Sequence, residues 1–396
     1  MSEKIAVIVV TYNRLKSLTR LLGSLDNACY SQADVDLIIS VDKSNTDLIE
    51  NYAESFFWKH GNKIVDKHVN NLGLKKHILS LGKWFEQYDA LVVLEDDLVV
   101  SEGYYSYVSQ CVEKYTNEDT IAGISLYNFE LNYQTQKPFI PIHDGNDVYF
   151  MNCAMSWGQV WLKKQWELFY NWYLGHQEFS KNNIIPNALF NWGEKSWLKY
   201  HTRYCIEEDK YFVYPYVSYT TNFSEIGVNH SELRNANPTM YQVVMNAGKD
   251  TVLRLPNINE SHALYDGFFE NKGLACVLGV SANDLCVNLN GENNNANHRR
   301  YYLTTEHLDF KILKSFGLLL RPIDDNIIKS IDGSTIYLYD TEVYEKHDKK
   351  SNNSNLILYA YRISNYASFV KRVGSKEIIA SLYRAFVFRI KRLIKR

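Results

Sequence analysis

Three carboxylates stand in a row where a buried strand should end. The segment ALVVLEDDLVV covers residues 90–100, and its apolar residues predict a strand with both faces covered. Glu95, Asp96 and Asp97 interrupt this run. Carboxylates crowded together repel one another and raise each other's pKa values, and a divalent cation relieves the repulsion. Hard oxygen ligands suit Mg²⁺ or Mn²⁺, which often share the phosphates of a bound nucleotide diphosphate. A solvated acidic turn is the alternative, and the flanking apolar residues disfavour it.

The elements before the triplet predict how it is positioned. Buried strands are expected in 4–14 (KIAVIVVTYNR) and 35–44 (VDLIISVDKS), and helices in 15–25 and 75–88, where leucines and aromatic residues recur at helical spacing. Alternating strands and helices predict a parallel α/β sheet, and such sheets bind ligands at the carboxyl ends of their strands.

Polar residues follow each of the three predicted strands. Thr11 and Arg14 follow the first strand, Asp42 follows the second, and the acidic triplet follows the third. We therefore expect these side chains to line one crevice. Asp42 is equally typical of a surface turn or helix cap, and Arg14 of a helix start that faces water.

Composition restricts the function classes. The 396 residues are 46% hydrophobic and 22% charged, which allows a large core and two domains. A net charge of -2 gives no reason to expect a nucleic-acid partner. The six cysteines are scattered and favour a reducing compartment, and the N-terminal residues lead straight into a strand, so we expect a cytoplasmic protein without a secretory signal or membrane span.

The order of these motifs resembles that of GT-A fold glycosyltransferases. VVTYNR, the segment KKHILSLGKWFEQYDALVVLEDDLVVSEGYYSY, SWGQVWLKKQWELF (156–169), NWGEKSW (191–197) and YPYVSYTTNFSEIGVNHS (214–231) follow one another as in the Golgi N-acetylglucosaminyltransferase I family and in bacterial surface-polysaccharide glycosyltransferases. The resemblance covers roughly residues 4–232. It implies a Rossmann-like, mostly parallel sheet flanked by helices, and a metal-dependent transfer of a sugar from a nucleotide-sugar donor.

The resemblance also implies a role for each motif residue. Asp97 would ligate Mn²⁺ or Mg²⁺, and His230 would approach the metal or the diphosphate. The donor would be bound by Thr11, Arg14, Asp42, His77, Glu95 and Asp96, with Asp42 on the uracil ring and His77 against the base. Trp157 and Gly158 would lie on the acceptor side. Trp161 and Trp166 read as core residues, and His77 could instead belong to a solvated helix face.

An inverting transferase also needs a base to take the proton of the acceptor hydroxyl. Glu194 lies between Trp192 and Trp197 in the sequence, and desolvation by two indole rings would raise its pKa. It matches the position of the family's base, although the local sequence differs. Asp209 is the second candidate. Alternatively, Glu194 begins a helix.

The remainder of the chain suggests three units. We expect a catalytic domain over residues 1–240, a smaller α+β accessory domain over 241–348, and a polar linker with a basic amphipathic helix over 349–396. In that helix Ile379, Leu382, Phe386, Ile390 and Leu393 form one apolar stripe beside six Lys and Arg residues: Arg384, Arg389, Lys391, Arg392, Lys395 and Arg396. This pattern predicts binding to an anionic membrane surface, and a helix docked on the body is the alternative.

The sequence therefore predicts a glycosyltransferase on the inner face of the cell membrane. It would act on a glycan, often lipid-linked, in bacterial surface-polysaccharide synthesis. Two alternatives remain. A nucleotidyltransferase would favour a Gly-rich loop after the first strand, and VVTYNRLKS contains no Gly. A non-catalytic glycan-binding or scaffold protein would not need the carboxylates.

Overall fold

The computed structural model describes residues 3–31, 34–180, 182, 184–223, 251–293, 299–348 and 353–394. Its centre is a nine-stranded sheet in the order β3-β2-β1-β4-β10-β6-β11-β9-β13. The strands are β1 (Ile5–Thr11), β2 (Asp36–Val41), β3 (Lys63–Lys67), β4 (Ala90–Glu95), β6 (Ile121–Ser125), β9 (Val148–Met151), β10 (Gln159–Leu162), β11 (Tyr211–Pro215) and β13 (Leu264–Tyr265).

Six of these strands run in the same direction. β1 pairs in parallel with β2 and β4, and β2 pairs in parallel with β3. β10 is antiparallel to both β4 and β6, and β11 is parallel to β6. The pairings therefore place the carboxyl ends of β1, β2, β4, β6 and β11 at one edge of the sheet, which we call the carboxyl edge. This arrangement confirms the predicted mostly parallel α/β sheet.

Helices cover both faces of the sheet. The helices are α1 (Leu15–Asp26), α2 (Leu48–Ser55), α3 (Leu74–Ser80), α4 (Tyr104–Tyr115), α5 (Lys163–Gly175), α6 (Asn187–Phe190) and α7 (Leu198–Glu207). Side chains alternate along each strand, so β1 sends Val7 and Val9 to the core under α1, α2 and α4. Ala6 and Ile8 face the opposite core, to which α3, α5 and α7 contribute.

Two small pairings lie beside the main sheet. β5 (Leu98–Val100) pairs with β12 (Thr220–Asn222), directly after the acidic triplet. β7 (Leu131–Asn132) and β8 (Lys137–Pro138) form a short hairpin after β6. Trp161 lies on β10 and stacks on Trp166 of α5 with ring centres 3.9 Å apart, which confirms both as core residues.

The main sheet extends further along the chain than expected. Residue 240, the predicted border, lies outside the described residues, but Leu264–Tyr265 pairs with β9 as an edge strand of the main sheet. The border therefore lies between Tyr265 and Leu274, where a second core begins. The strand was assigned to the accessory domain because two paired residues leave no recognisable alternation.

The accessory unit is α+β, as its sequence suggested. A four-stranded sheet in the order β14-β15-β17-β16 packs against two short helices. These elements are β14 (Leu285–Asn288), β15 (Tyr301–Thr304), β16 (Phe310–Phe316), β17 (Ile336–Tyr344), α8 (Leu274–Leu278) and α9 (Asp324–Ile328). Three helices follow, namely α10 (Asn353–Ala360), α11 (Tyr366–Val373) and α12 (Ser375–Ile394).

Gly158 supplies a prediction about stability. Its φ of +89° is unfavourable for a side chain, and an added Cβ would lie 2.8 Å from Cγ2 of Thr220. Gly158→Ala should therefore lower the free energy of unfolding by about 1–3 kcal/mol in urea titrations. Gly23→Ala is the control, because this glycine lies inside α1 with open space around it and the exchange should be neutral or stabilising. Equal effects of the two substitutions would contradict this role of Gly158.

Candidate active site

The ends of three parallel strands are hydrogen-bonded to one another at the carboxyl edge. The register pairs Val10 of β1 with Glu95 of β4, and the amide of Asp96 donates to the carbonyl of Val10 at 3.1 Å. On the other side of β1, the amide of Asp42 donates to the carbonyl of Thr11 at 3.0 Å. The polar groups that the sequence assigned to three separate strand ends therefore lie side by side.

Arg14 is the counter-ion of the acidic triplet. Its guanidinium group contacts Asp97 with a nitrogen–oxygen distance of 2.9 Å and forms a second, short contact with Asp96. The hydroxyl of Thr11 donates to the other oxygen of Asp96 at 2.7 Å. Arg14 thus joins two neighbouring carboxylates at the N-terminus of α1. The alternative, in which Arg14 faces water at a helix start, is wrong. An arginine just after one strand and opposite an acidic strand end was the sequence feature that indicated this pairing.

Burial changes the ionisation of two members of the triplet. Burial raises the pKa of Asp96 to about 6, and the nearby Arg14 opposes this shift. Glu95 keeps part of its surface accessible, yet burial, followed by the charges of Asp97 and Asp96, raises its pKa to about 8. At neutral pH Glu95 therefore tends to hold a proton while Asp96 and Asp97 share the charge of Arg14.

This set of oxygens fits a hard divalent cation that is also bound by substrate. Carboxylates are the ligands that Mg²⁺ and Mn²⁺ prefer, and both ions commonly take one or two carboxylates plus phosphate oxygens. Over the described ranges, no group of three His, Cys, Asp or Glu side chains could hold a metal alone. A cation held by Asp97 would therefore need ligands from a bound diphosphate or water. His230, the other predicted metal residue, lies outside the described residues.

Asp42 is buried and organises the loop before α3. Its carboxylate accepts hydrogen bonds from the amides of Lys43, Leu72 and Gly73 at 2.8–2.9 Å. In this conformation the carboxylate links the end of β2 to the start of α3. Its contact with a uracil ring stays a prediction, and such a contact would be added to these three bonds.

His77 lies beneath the carboxyl edge and not on a solvated helix face. It is 2% exposed, and its Nε2 lies 2.8 Å from the hydroxyl of Ser40 on β2. Burial, followed by the neighbouring His68, lowers its pKa to about 4, so the ring is neutral. Packed in this way His77 supports the end of β2, and the expectation that it lies against the base requires a different side-chain position.

Trp157 and Gly158 lie at the carboxyl edge on the side of β4 away from β1. They immediately precede β10, whose first residue, Gln159, pairs with Val93. Trp157 is partly exposed and packs edge-on against Tyr127, with ring centres 4.6 Å apart. Their role on the acceptor side stays a prediction.

The strand pair after the triplet closes the site from another direction. The amide of Phe223 donates to the carbonyl of Asp97 at 3.0 Å, and the guanidinium of Arg20 lies 3.9 Å from the Phe223 ring centre. The end of β12 therefore lies beside Asp97, the candidate metal ligand. No sequence pattern indicated this pairing, because Thr220–Asn222 is only three residues long.

Glu194 is exposed, contrary to the expected desolvation. It lies in the turn between α6 and α7, and the two tryptophans diverge from it. Trp197 is buried, with its ring centre 6.1 Å from that of Trp161. The ring centre of Trp192 lies 5.6 Å from that of Tyr133. Residues close in sequence therefore do not sandwich the carboxylate in this structure.

Glu194 nevertheless lies toward the carboxyl edge. Three residues join the C-terminal end of α7 to the amino end of β11. The helix therefore runs back along the strand, and the N-terminus of α7 lies near the carboxyl end of β11. Consistent with this direction, the ammonium group of Lys75, near the start of α3, lies 4.1 Å from the ring centre of Tyr200 in α7.

Asp209 lies at the wrong edge of the sheet for the predicted role. It precedes β11, which is parallel to β6 and runs in the direction of β4, so it lies at the amino ends of these strands. Its carboxylate contacts the ammonium of Lys272 at 2.7 Å and accepts a hydrogen bond from the hydroxyl of Tyr211 at 2.8 Å. The assignment of Asp209 as second-choice base is therefore wrong.

Comparison with known families identifies the N-terminal part of the chain. Residues 6–171 match the model of the family described as "Glycosyl transferase family 2". The chain carries a glycosyltransferase domain. The matched residues include β1 to β4, the acidic triplet, and Trp157 and Gly158 before β10. This match favours a transferase over the nucleotidyltransferase and non-catalytic alternatives, and the finer resemblance to the N-acetylglucosaminyltransferase I family stays a prediction.

Solved glycosyltransferase structures show distant similarity. The crystal structure of S. aureus TarS 1-349 in complex with UDP-GlcNAc is 14% identical, with a TM-score of 0.38, over 58% of this chain and 60% of that one. For GalNAc-T7 with UDP, GalNAc and Mn²⁺ the values are 13%, 0.35, 54% and 42%. For the mannosyltransferase PcManGT from Pyrobaculum calidifontis in complex with GDP-Man and Mn²⁺ they are 12%, 0.34, 55% and 58%.

These similarities are too distant to support the fold assignment. That assignment rests on the family match and on the sheet topology. The chain spans less than two thirds of the length of each of these solved chains. No curated protein matches the chain.

The raised pKa of Glu95 gives the glycosyltransferase domain a pH-dependent stability. Between the usual glutamate pKa and about 8, the unfolded chain has released this proton and the folded protein has not, so stability falls as pH rises through that window. Glu95→Gln keeps the neutral form. Measured without metal, the free energy of unfolding of this variant minus that of the parent should increase by about 1–3 kcal/mol from pH 5 to pH 8.

Urea titrations across this pH range measure the effect. Glu113→Gln, at an exposed position of α4, is the matched control and should give a difference that is flat with pH. A flat difference for Glu95→Gln as well would contradict the burial of an uncharged carboxyl group at the end of β4.

Proposed function

We propose that the protein transfers a sugar from a nucleotide-sugar, a UDP-sugar in the first instance, to a hydroxyl group of a glycan. The observation that carries this proposal is the polar cluster at the carboxyl edge. Arg14, Thr11, Asp96 and Asp97 form one partly buried network there, within the matched family segment. Ligands of parallel α/β sheets bind at this edge, where strand ends and loops leave a crevice.

The donor side would be formed by the ends of β1, β2 and β4. Asp42 would accept from the uracil ring, Asp96 would bind the ribose or a sugar hydroxyl, and Glu95 would bind the donor sugar. The buried position of His77 suits it to holding Ser40 and the end of β2 in place. Arg14 would keep Asp96 and Asp97 in position before the donor arrives.

The enzyme would use Mn²⁺ or Mg²⁺ held by Asp97. The chemistry that such an ion supplies is stabilisation of the negative charge on the leaving diphosphate. The carboxylates of Asp96 and Asp97 would determine where the ion meets the charged diphosphate. Arg14 reduces the repulsion between these two carboxylates. Metal binding would also favour the ionised form of the triplet, which burial alone disfavours.

The acceptor side would be formed by Trp157, Gly158 and the turn that contains Glu194. In an inverting reaction the acceptor oxygen forms a bond to the anomeric carbon as the bond to the diphosphate oxygen breaks. The acceptor proton would pass to the Glu194 carboxylate, which is then the general base. Its exposure in the free protein leaves it accessible to an acceptor, and a bound acceptor would provide the desolvation that the tryptophans do not.

The acceptor would be a glycan of a bacterial surface polysaccharide, in a lipid-linked form. This setting places the reaction at the inner face of the cell membrane with the protein peripherally bound. It is supported by the resemblance of the motif series and by the basic C-terminal helix. Among the described helices, none is both long and apolar enough to cross a bilayer.

The first prediction from this proposal concerns the metal. Asp97→Asn should abolish transfer and remove the Mn²⁺-dependent increase in melting temperature that UDP gives, because one ligand oxygen loses its charge. Thermal shift with UDP, with and without Mn²⁺, measures the effect, and an unchanged melting temperature without ligands shows that the fold survives. Equal stabilisation of the parent protein by UDP in EDTA would count against a metal-bridged donor.

The second prediction concerns the base. Glu194→Gln should bind UDP and Mn²⁺ as the parent does but lower kcat at least roughly a hundredfold, because general bases contribute on the order of 10² to 10⁴ in rate. The measurement is kcat with saturating donor and acceptor. Asp209→Asn, which changes a carboxylate at the opposite edge, is the control and should keep kcat near the parental value. Loss of kcat in the control alone would show that the acceptor-side assignment is wrong.

A further inference from the structure

The helix before the C-terminal one has an apolar face that stays partly exposed in the described part of the chain. α11 places Tyr366, Phe369, Val370 and Val373 at the three- and four-residue spacing of a single helical stripe. Their side chains are 39–42% exposed. Burial in the protein core therefore does not explain this face, and the sequence alone had drawn attention only to α12.

α12 repeats the pattern over a longer helix. Ile379, Leu382, Tyr383, Phe386 and Ile390 fall within one stripe and are 39–68% exposed. Among the α12 side chains that the structure describes, this stripe is not docked on the body, contrary to the alternative considered from the sequence. We call the two stripes together, Tyr366–Val373 and Ile379–Ile390, the tail surface.

The charge of this segment is opposite in sign to that of the body. Residues 366–396 contain nine of the 43 Lys and Arg residues of the chain and one of its 45 Asp and Glu residues. The remainder of the chain is thus clearly acidic. Among the described residues of α12, Arg384 is exposed next to the apolar stripe, where a headgroup phosphate could pair with it.

The base of the tail is attached to the body. The hydroxyl of Tyr361, just after α10, donates to the carbonyl of Gln136 in the β7–β8 hairpin at 2.9 Å. Arg321 of the accessory unit lies over the ring of Tyr359, 4.3 Å from its centre. The hairpin follows β6, whose carboxyl end lies at the carboxyl edge. A partner bound by the tail surface would therefore be held beside the domain that contains the site.

We propose that α11 and α12 together bind the interfacial region of a bilayer that contains anionic lipids. Apolar stripes of this kind insert at the boundary between headgroups and acyl chains, and flanking basic residues pair with anionic headgroups. A second copy of the chain is the competing occupant of an apolar stripe. Nine basic residues against one acidic residue in each copy would repel in such a dimer, whereas an anionic lipid surface attracts them. The proposal does not depend on sugar transfer.

Vesicle flotation of the full chain tests the proposal. The protein should float with vesicles of phosphatidylcholine mixed with phosphatidylglycerol, bind vesicles of phosphatidylcholine alone far less, and be released in part by high salt. Failure to float with the anionic vesicles at low salt would overturn the proposal. Since the readout is lipid binding, an inactive enzyme would not change it.

Two matched pairs of substitutions separate apolar insertion from charge. Leu382→Glu and Ser381→Glu change the net charge equally, but only Leu382 lies on the stripe. Ser381→Glu should weaken partitioning roughly fivefold, as expected for one charge near the surface, and Leu382→Glu at least roughly fiftyfold. Phe369→Glu and Ala367→Glu make the same comparison in α11 and should differ in the same direction.

The following outcomes would contradict the proposal. Equal losses within the α12 pair would show that the stripe does not enter the bilayer, and equal losses within the α11 pair would remove that helix from the surface. Sedimentation of the protein without lipid detects the competing occupant. A dimer that Leu382→Glu dissociates, in a protein that does not float, would assign the tail surface to self-association.

Discussion

The active-site architecture depends on how three consecutive carboxylates are accommodated at the end of a buried strand. Isolated buried charges are costly, and the chain reduces that cost in two ways. Arg14 forms ion pairs with Asp96 and Asp97, and burial raises the pKa of Glu95 to about 8 so that it keeps its proton near neutral pH. One negative charge then remains within the network. This residual charge would favour a bound cation, as the proposed function requires.

The geometry of this network follows from the sheet. Parallel pairing of β1 with β4 sets Val10 opposite Glu95, so Thr11 and Asp96 meet without any adjustment of the backbone. α1 begins at Leu15, immediately after Arg14, which directs the guanidinium back toward the strand ends. A shift of one residue in this register would turn the triplet to the opposite faces of the sheet. The large apolar core on both faces therefore fixes the register and, with it, the site.

Local patterns in the sequence were sufficient for the first parallel strands and for the grouping of their polar ends. Continuous β-branched runs predicted β1, β2 and β4, and the strand ends identified Asp42 and the acidic triplet. The failures concern spatial relations that no local pattern encodes. Trp192 and Trp197 flank Glu194 in sequence but pack against different neighbours, and Asp209 lies at the amino end of a strand whose direction depends on its pairing with β6. Leu264–Tyr265 joined the main sheet through long-range pairing alone.

The most direct measurement is a crystal structure of the protein with UDP and Mn²⁺, in which the anomalous signal of manganese locates the ion. The account predicts an anomalous peak within coordination distance of an Asp97 carboxylate oxygen and of the diphosphate, with the uracil ring beside Asp42 at the end of β2. A peak at the amino edge of the sheet, or UDP bound at the carboxyl edge with no manganese beside Asp97, would contradict it.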